Sequence, residues 1–180
     1  MLIVNKLIAA GRGLAPALLR RATTVELDWD TRSKSRFDAV DSAGRRLGVF
    51  LPRGSVLRGG DVLVAEDGSL VRVLAAPQPL LVVRQCAAHG SPHDLLRAAY
   101  HLGHRQVQLQ LEPDRLQLEP DPVLAARLRQ MHLIVTEERA AFEPEAGTYA
   151  TAGHHANHDH GSHGHGHEHP PHEHAHGHGH

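Results

Sequence analysis

The first 76 residues contain short runs in which apolar and polar side chains alternate, a pattern that predicts half-buried β-strands. Thr23–Trp29 and Val62–Glu66 alternate in this way, and Leu70–Leu74 is a further apolar run. Asp67-Gly68 separates the last two runs, and an Asp-Gly pair in that position predicts a two-residue hairpin turn with positive φ at both residues. We therefore expect this part of the chain to form a small all-β domain.

The hydrophobic period changes after a proline-containing junction at residues 75–79. Leu80–Val83 is a continuous apolar run, which is typical of a buried strand. Ser91-Pro92 predicts the start of a helix and Gly103 predicts its end. The apolar residues of that helix are placed on one predicted face: Leu95, Leu96, Ala99 and Leu102.

Two strands, a second helix and a last strand follow along the chain. The patterns place them at Gln106–Leu111, at Leu116–Leu118, from Asp121-Pro122 onward and at Leu133–Thr136. The resulting order is βαββαβ, the split βαβ arrangement, which we assign to residues 77–150. The predicted fold class is therefore α+β, with the all-β domain first and this domain second.

Residues 151–180 differ from the rest of the chain in composition. They contain 13 of the 18 histidines but no Lys, Arg, Val, Leu, Ile or Phe. Such a segment cannot bury enough apolar surface to offset the entropy lost on ordering, so we expect a disordered tail. Its repeating unit is His-x-His, and neutral imidazole is a ligand that suits Ni, Cu and Zn. The candidate metal ligands in the tail are His154, His155, His158, His160, His163, His165, His167, His169, His172, His174, His176, His178 and His180.

Two other interpretations of the tail remain open, an expression tag and a solubilising or pH-responsive segment. Tags are usually uninterrupted histidine runs, whereas this tract carries Gly, Glu, Asp and Ala between its histidines. Metal binding should weaken near pH 6, where imidazole becomes protonated. Copper is favoured over nickel in raw affinity, so the tract alone does not select nickel.

Two of the five histidines outside the tail have metal-ligand spacing. His101 and His104 lie three residues apart at the end of the first predicted helix, which puts both within reach of one ion. The alternative is that they are solvated side chains near a helix C-terminus, where a cation is favourable. Cys86, at the end of a predicted buried strand, is expected to be a small buried thiol. The remaining histidines are given no ligand role: His89, His93 and His132.

Composition and missing motifs exclude several classes of function. The net charge is −1 and aromatic residues make up 3% of the chain, so we expect no nucleic-acid surface. No apolar window is long enough to span a membrane, and Asn5 and Lys6 interrupt the short apolar start, which we interpret as a first strand. A single cysteine permits no internal disulfide, and the cytoplasm is the expected compartment. No Walker loop and no catalytic Ser-His-Asp or Cys-His arrangement is recognisable.

Several stretches, by their order and spacing, resemble the UreE family of urease accessory proteins. The most specific are a Pro-Arg-Gly-x-x-Leu-x-x-Gly-Asp run and a Phe-Glu-Pro-Glu-Ala-Gly-x-Tyr run. The similarity covers nearly the whole chain. The matching stretches are Arg32–Arg36, Leu51–Leu57, Gly60-Asp61, Ala99–Gly103, Asp121–Leu124 and Phe142–Tyr149.

The resemblance implies a two-domain, non-enzymatic nickel metallochaperone that forms homodimers. In the family, the first domain is thought to contact partner proteins. The second is ferredoxin-like, binds metal and dimerises. Members carry nickel and pass it, with the GTPase partner UreG, to the complex of urease apoprotein and accessory proteins. The expected cargo is therefore a nickel ion, although Zn or Cu can also bind imidazole.

A general protein for divalent-metal storage or detoxification, without a urease role, is the alternative function. A histidine-rich tail fits that function as well as nickel delivery. A metallohydrolase would need a fixed, open metal site and a general base, and the sequence contains no recognisable set of this kind.

One departure from the family pattern concerns the metal site. The family usually has Tyr-His-Leu-Gly-Asn-Arg-His, and its final His is the ligand at the dimer interface. Here Gln106 stands at that position and His104 stands at the usual Asn position. One hypothesis is that His104 substitutes, one from each chain, with tail histidines completing the site. The rival hypothesis is that the interface site is lost and the tail carries all metal binding.

Overall fold

The computed structural model describes residues 1–146, which form two β-sheets. The first sheet has six strands between Leu2 and Ala75, and the second has four strands between Gln78 and Ala140. The expectations for residues 147–180, namely disorder and metal binding by the tail histidines, lie outside the described residues.

The first sheet is mixed and has the strand order β2-β6-β5-β1-β4-β3. Strands β1 and β4 are parallel, as are β2 and β6, and the other pairs are antiparallel. Its strands are β1 (Leu2–Ile8), β2 (Thr23–Leu27), β3 (Arg36–Val40), β4 (Arg46–Phe50), β5 (Val62–Ala65) and β6 (Leu70–Ala75).

The expectation that this first part is purely β was wrong, because it also contains a 3₁₀ turn at Ala9–Gly11 and two short α-helices. Helix α1 spans Pro16–Arg21 and begins with a proline, whose missing N–H costs nothing at that position. Helix α2 spans Trp29–Arg32 and begins after Asp28, whose carboxylate accepts a hydrogen bond from the Thr31 N–H at 2.9 Å. Both helices are too short to show the apolar repeat from which helices are predicted.

The predicted hairpin between β5 and β6 is present, but its turn differs from the expected type. The Gly68 N–H donates to the Ala65 carbonyl at 2.9 Å, and the Ala65 N–H donates to the Ser69 carbonyl at 3.0 Å. The loop therefore has three residues rather than two. Only Gly68, with φ +81°, takes a positive φ, whereas Asp67 does not. This combination is the type I turn with a glycine bulge that three-residue hairpin loops favour.

The two edge strands of the first sheet, β2 and β3, are joined at one end by hydrogen bonds. The Ser42 N–H donates to the Thr24 carbonyl at 2.7 Å, and the Thr24 N–H donates to Ser42 Oγ at 3.0 Å. The buried carboxylate of Asp41 accepts hydrogen bonds from Thr23 Oγ1 at 2.9 Å and from Arg45 Nε at 2.8 Å. These contacts curl the sheet around an apolar core. That core is formed by Val4, Val25, Leu27, Leu47, Val49, Leu51, Leu57, Leu63, Ala65, Val71 and Val73.

The second unit has the predicted order βαββαβ. Its sheet is antiparallel throughout, with the strand order β10-β7-β9-β8, and both helices pack on one face. The elements are β7 (Gln78–Arg84), α3 (Pro92–His104), β8 (Gln110–Glu112), β9 (Arg115–Leu118), α4 (Pro122–Gln130) and β10 (Ile134–Ala140). Within residues 1–146, no helix combines the length and the apolar character needed to cross a bilayer.

The predicted end of the first long helix at Gly103 was wrong, because α3 continues to His104. The helix is closed by the Val107 N–H, which donates to the Leu102 carbonyl at 3.1 Å, while Gln106 takes φ +60°. This is a Schellman cap, in which one left-handed residue satisfies the last helical carbonyls. Helix α4 ends in the same way, with His132 at φ +61°.

A buried arginine joins the two units. Arg32 is fully buried, and its guanidinium donates to three main-chain carbonyls and to one carboxylate oxygen, Glu143 Oε1, at 2.8 Å. Burial lowers the pKa of this guanidinium, and Glu143 opposes that effect, so Arg32 keeps its charge. The three carbonyls belong to Leu27, Leu57 and Phe142.

Aromatic packing and a glycine complete this junction. The Trp29 ring packs edge-on against Phe142 with ring centroids 6.0 Å apart, and Arg58 lies 4.9 Å from the Trp29 ring centroid. The Gly59 N–H donates to Glu143 Oε1 at 2.7 Å, and a Cβ at Gly59 would lie only 3.0 Å from that oxygen. The Pro-Arg-Gly run and the Phe-Glu-Pro run, which were separate sequence motifs, therefore meet here.

Replacing the buried arginine should destabilise the protein strongly. Arg32→Met removes all of the guanidinium hydrogen bonds and leaves Glu143 without this partner, so we expect a loss of about 3 kcal/mol in the free energy of unfolding. Lys34→Met is a matched control, because it breaks an exposed ion pair with Asp30 and should cost less than about 1 kcal/mol. Urea unfolding followed by the fluorescence of Trp29 measures both values. Equal losses in the two variants would contradict the role given to Arg32.

The hydrogen bonds accepted by the Asp41 carboxylate predict that the protein loses stability in acid. Burial by itself would raise the pKa of Asp41, but hydrogen bonds from Arg45, Thr23 and Ala43 outweigh it and hold the pKa below the ordinary value. A carboxyl with a lowered folded-state pKa stabilises the fold fully above its unfolded pKa of about 4 and loses that contribution as the pH falls further. Asp41→Asn should therefore cost about 1–3 kcal/mol at pH 6, and the difference from the parent should shrink near pH 3. If the difference in the free energy of unfolding between the variant and the parent stayed constant across this pH range, the Asp41 carboxylate would not have the stabilising role given to it.

Candidate functional site

The two candidate ligands of the folded part lie in the last turn of α3, and both side chains are exposed. The imidazole rings flank Tyr100. The centroid of the His101 ring lies 5.5 Å from that of Tyr100 in an edge-on arrangement, and the centroid of the His104 ring lies 6.5 Å away and is stacked. The helix therefore presents two imidazoles and one aromatic ring on the surface at its C-terminal end.

The two imidazoles are directed toward different neighbours. His101 borders a narrow seam between α3 and α4, together with Leu102, Leu124 and Leu128. His104 lies beyond Tyr100 on the outer side of the helix. Among residues 1–146, no group of three or more His, Cys, Asp or Glu side chains is close enough to hold one metal ion.

Helix α3 is apolar on two sides, which its sequence pattern did not resolve. We expected Leu95, Leu96, Ala99 and Leu102 on one face. In the structure Leu95 and Leu102 are buried together with Ala98, whereas Leu96 is 67% exposed. Tyr100 is 71% exposed and follows Leu96 by four residues, as His104 follows Tyr100. This exposed stripe of Leu96, Tyr100 and His104 is named the α3 outer face. The four-residue spacing of these three residues in the sequence could have predicted that they share one face of the helix.

Gln106, which stands where the family resemblance implies a histidine ligand, has a backbone role. Its N–H donates to the Gly103 carbonyl at 2.9 Å, and its positive φ closes α3. Its side chain is exposed, but an amide is a poor ligand for Ni. His104 lies two residues earlier and is the histidine nearest to Gln106 in the sequence.

The end of the described chain is hydrogen-bonded to the segment that follows α3. The Glu145 N–H donates to the Leu109 carbonyl at 2.7 Å, which holds the segment before Ala146 against the strand that follows α3. Leu109 is five residues beyond His104, so their Cα atoms are at most about 18 Å apart. The described chain is therefore held, up to Glu145, against the segment that follows α3.

Two further histidines border a different cleft. His89, in the loop before α3, and His132, after α4, line an open surface cleft of about 570 Å³ together with Asp94 and Arg97. His93 is exposed in the first turn of α3. Among the described residues, neither His89 nor His132 belongs to a group of three or more donors close enough to hold one metal ion.

The expectation that Cys86 is buried was wrong. Strand β7 ends at Arg84, and Cys86 lies in the turn that follows, partly exposed. Its Sγ is 3.9 Å from His89 Nδ1. Hydrogen bonding to the His89 side chain, followed by hydrogen bonds with the Ala88 and His89 backbone, lowers the pKa of this thiol. Cys86 is therefore a more reactive thiol than the sequence indicated.

Comparison with known protein families gives matches along both units. Residues 4–76 match the N-terminal domain model of the UreE urease accessory protein, and residues 78–180 match its C-terminal domain model. The second match includes the histidine-rich residues that follow the described part.

Individual relatives agree with the family models. A urease accessory protein UreE from Methylibium petroleiphilum is 74% identical over 155 residues, which cover 86% of this chain and 71% of the relative. The protein of the same name from Albidiferax ferrireducens is 65% identical over 159 residues, which cover 88% of this chain and 91% of the relative. That of Verminephrobacter eiseniae is 62% identical over 168 residues, which cover 91% of this chain and all of the relative.

The pair formed by Cys86 and His89 predicts a selective chemical reactivity. His89→Ala removes the main interaction that lowers the thiol pKa, so alkylation of Cys86 by iodoacetamide at neutral pH should become slower. His93→Ala is the matched control, because His93 is also exposed nearby but makes no contact with the thiol; its alkylation rate should match that of the parent. Rates measured by mass spectrometry test this, and equal rates in all three proteins would show that His89 does not activate the thiol.

Proposed function

The chain belongs to the UreE family of urease accessory proteins, and on that premise we propose that it is a nickel metallochaperone that captures nickel and delivers it during urease maturation. The observation that carries this proposal is the pair His101 and His104, two exposed imidazoles in the last turn of α3, in a chain whose residues 151–180 contain 13 more histidines. The chemistry is ligand exchange and not catalysis, since labile imidazole ligands release an ion to a partner more readily than a closed site would.

The α3 outer face supports a homodimer. Leu96 and Tyr100 together expose a large apolar area, which a second copy of the same helix can cover across a twofold axis. Such an axis brings His104 of both chains to one place. The antiparallel sheet order β10-β7-β9-β8, with both helices on one face, supports a ferredoxin-like second domain as the dimerising unit.

We propose that the nickel site at this interface uses His104 from each chain, with His101 nearby and tail histidines as further ligands. Two imidazoles leave an octahedral Ni²⁺ ion with open positions, and the histidines from His154 to His180 supply more donors of the same kind. The same donors bind Zn or Cu, so selectivity for nickel comes from delivery rather than from affinity. The proposed division of the chain is 1–76 for partner contact, 77–150 for the dimer and 151–180 for metal capture.

The proposed partners are the GTPase UreG and the complex of urease apoprotein with its accessory proteins, in the cytoplasm. The alternative function is general storage or detoxification of divalent metal. Deletion of the gene separates the two: loss of urease activity that excess nickel restores supports delivery, whereas sensitivity to Zn or Cu with intact urease supports storage.

A nickel titration tests the proposed interface site. We compare Met1–Ala150 with the same protein carrying His104→Ala, using calorimetry, and measure the dimer by sedimentation. The His104→Ala variant should lose the one site per dimer that remains without the tail, because its two main ligands are gone. His93→Ala is the control, since this exposed histidine lies at the other end of α3 and its stoichiometry should not change.

The outcomes distinguish the two hypotheses for the interface. Unchanged nickel stoichiometry in the His104→Ala variant would exclude His104 as a ligand. A truncated protein that binds no nickel, while the full-length protein does, would assign all binding to the histidine-rich residues. A monomeric Met1–Ala150 protein at micromolar concentration would contradict the proposed dimer.

A further inference from the structure

The first domain has an open surface cleft whose charged lining residues are all basic. The cleft has a volume of about 410 Å³ and is lined by Ser33, Lys34, Ser35, Arg36 and Arg53. The Ser33 hydroxyl donates to the Asp30 carbonyl at 2.8 Å, which leaves the Ser35 hydroxyl as the one without a hydrogen bond to the described residues. Three cationic residues and a free hydroxyl group therefore border one space, and none of the lining residues is acidic.

Main-chain hydrogen bonds fix the segment that carries two of these cations. Lys34 follows the end of α2, and its N–H donates to the Thr31 carbonyl at 3.1 Å. The Ser35 carbonyl accepts from the Leu51 N–H at 2.8 Å, directly before Arg36 begins β3. The cleft is thus built where the start of β3 meets the loop that follows β4.

A tight turn in that loop carries the third cation. The Ser55 N–H donates to the Pro52 carbonyl at 3.1 Å, and Gly54 takes φ +82°, as the third residue of a type II turn must. Pro52 has no N–H with which to extend the pairing of β3 with β4. Arg53 is the second residue of this turn, and its side chain is exposed. The main chain around the cleft is therefore held in place while the basic side chains remain exposed.

The fold does not need these basic side chains. Lys34, Arg36 and Arg53 are all exposed. Within residues 1–146, Arg36 and Arg53 form no ion pair, and Lys34 pairs only with the exposed Asp30, at 2.6 Å. An exposed pair of this kind contributes less than about 1 kcal/mol to stability. Both stretches that form the cleft belong to the motifs of the family resemblance, and burial of Arg32 accounts for only part of them.

The convergence of positive charge distinguishes this cleft from the rest of the surface. Arg46 and Arg72 are also exposed and form no ion pair among the described residues, but neither lines the cleft. A cleft lined by charges of one sign concentrates the electrostatic potential and attracts counter-ions. A phosphate group carries close to two negative charges at neutral pH and several acceptor oxygens. Guanidinium groups bind it through paired N–H donors, and an ammonium group adds a further charge.

We propose that this cleft binds a phosphate group, with Arg36 and Arg53 as paired donors and Lys34 as the third cation. The Ser35 hydroxyl is available as a further donor. Free inorganic phosphate and the phosphate of a small phosphoester share this chemistry, so both are used as probes. This inference goes beyond the metal-carrying role and does not depend on it.

The test is an amide NMR titration of the full-length protein, without added metal, at about pH 7.5, where the imidazoles are mostly neutral. NaCl keeps the ionic strength constant, because exposed charges are screened by salt. The amide signals of Ser35, Arg36 and Arg53 should shift and saturate with inorganic phosphate. Saturation with glycerol phosphate as well would extend the site to phosphoesters. Malonate, a dianion that has carboxylates only, should bind at least about fivefold more weakly.

Charge-removing variants provide the second arm. Arg36→Gln and Arg53→Gln should each weaken phosphate binding about tenfold, whereas Arg46→Gln, a matched exposed arginine outside the cleft, should not. Urea unfolding followed by Trp29 fluorescence shows whether each variant is folded. If Arg36→Gln alters that curve, Arg53→Gln carries the test, because Arg53 lies in no strand or helix.

Three results would overturn the proposal. They are the absence of saturable shifts at the cleft amides, equal weakening by Arg46→Gln, and equal affinity for malonate and phosphate. The last result would show that the cleft attracts any dianion and does not recognise phosphate.

Discussion

The fold depends on one buried cation, Arg32, which holds the end of the described chain onto the first domain. Its guanidinium binds carbonyls from both units and the Glu143 carboxylate, and its burial is tolerable only because all these partners are present. Trp29 and Phe142 close the junction above it, and together with Leu80 they form a small core between the two sheets. The Phe-Glu-Pro-Glu motif is therefore structural: it fixes the path along which the chain leaves the second sheet.

That path brings the end of the described chain to the segment that follows α3. Glu143 is anchored to Arg32, and two residues later Glu145 is bonded to Leu109, which follows the end of α3. The proposed metal capture by residues 151–180 therefore starts from a chain that is held against the second unit up to Glu145.

The sequence predicted long, strongly patterned elements well and short or tertiary features poorly. The βαββαβ order followed from apolar periods and from proline at both helix starts. Helices α1 and α2 span too few residues to show a period, and the end of α3 was misplaced because Gln106, not a glycine, takes the left-handed cap. Leu96 was placed on the same helical face as Leu95 and Leu102, although periodicity alone cannot show which apolar residues of a helix are buried. Cys86 was assigned as buried because the strand was read two residues too long. The pairing of Arg32 with Glu143 spans most of the chain, and no local pattern encodes it.

The central claim is that nickel is bound at the end of α3 jointly by the folded domain and by the residues that follow it. Amide NMR of the full-length protein with substoichiometric Ni²⁺ tests this claim directly, since a paramagnetic ion broadens the signals of residues around it. The account predicts early broadening at His101, His104 and Gln106 together with the histidine-rich residues. Broadening confined to residues 151–180, with the end of α3 unaffected, would contradict it.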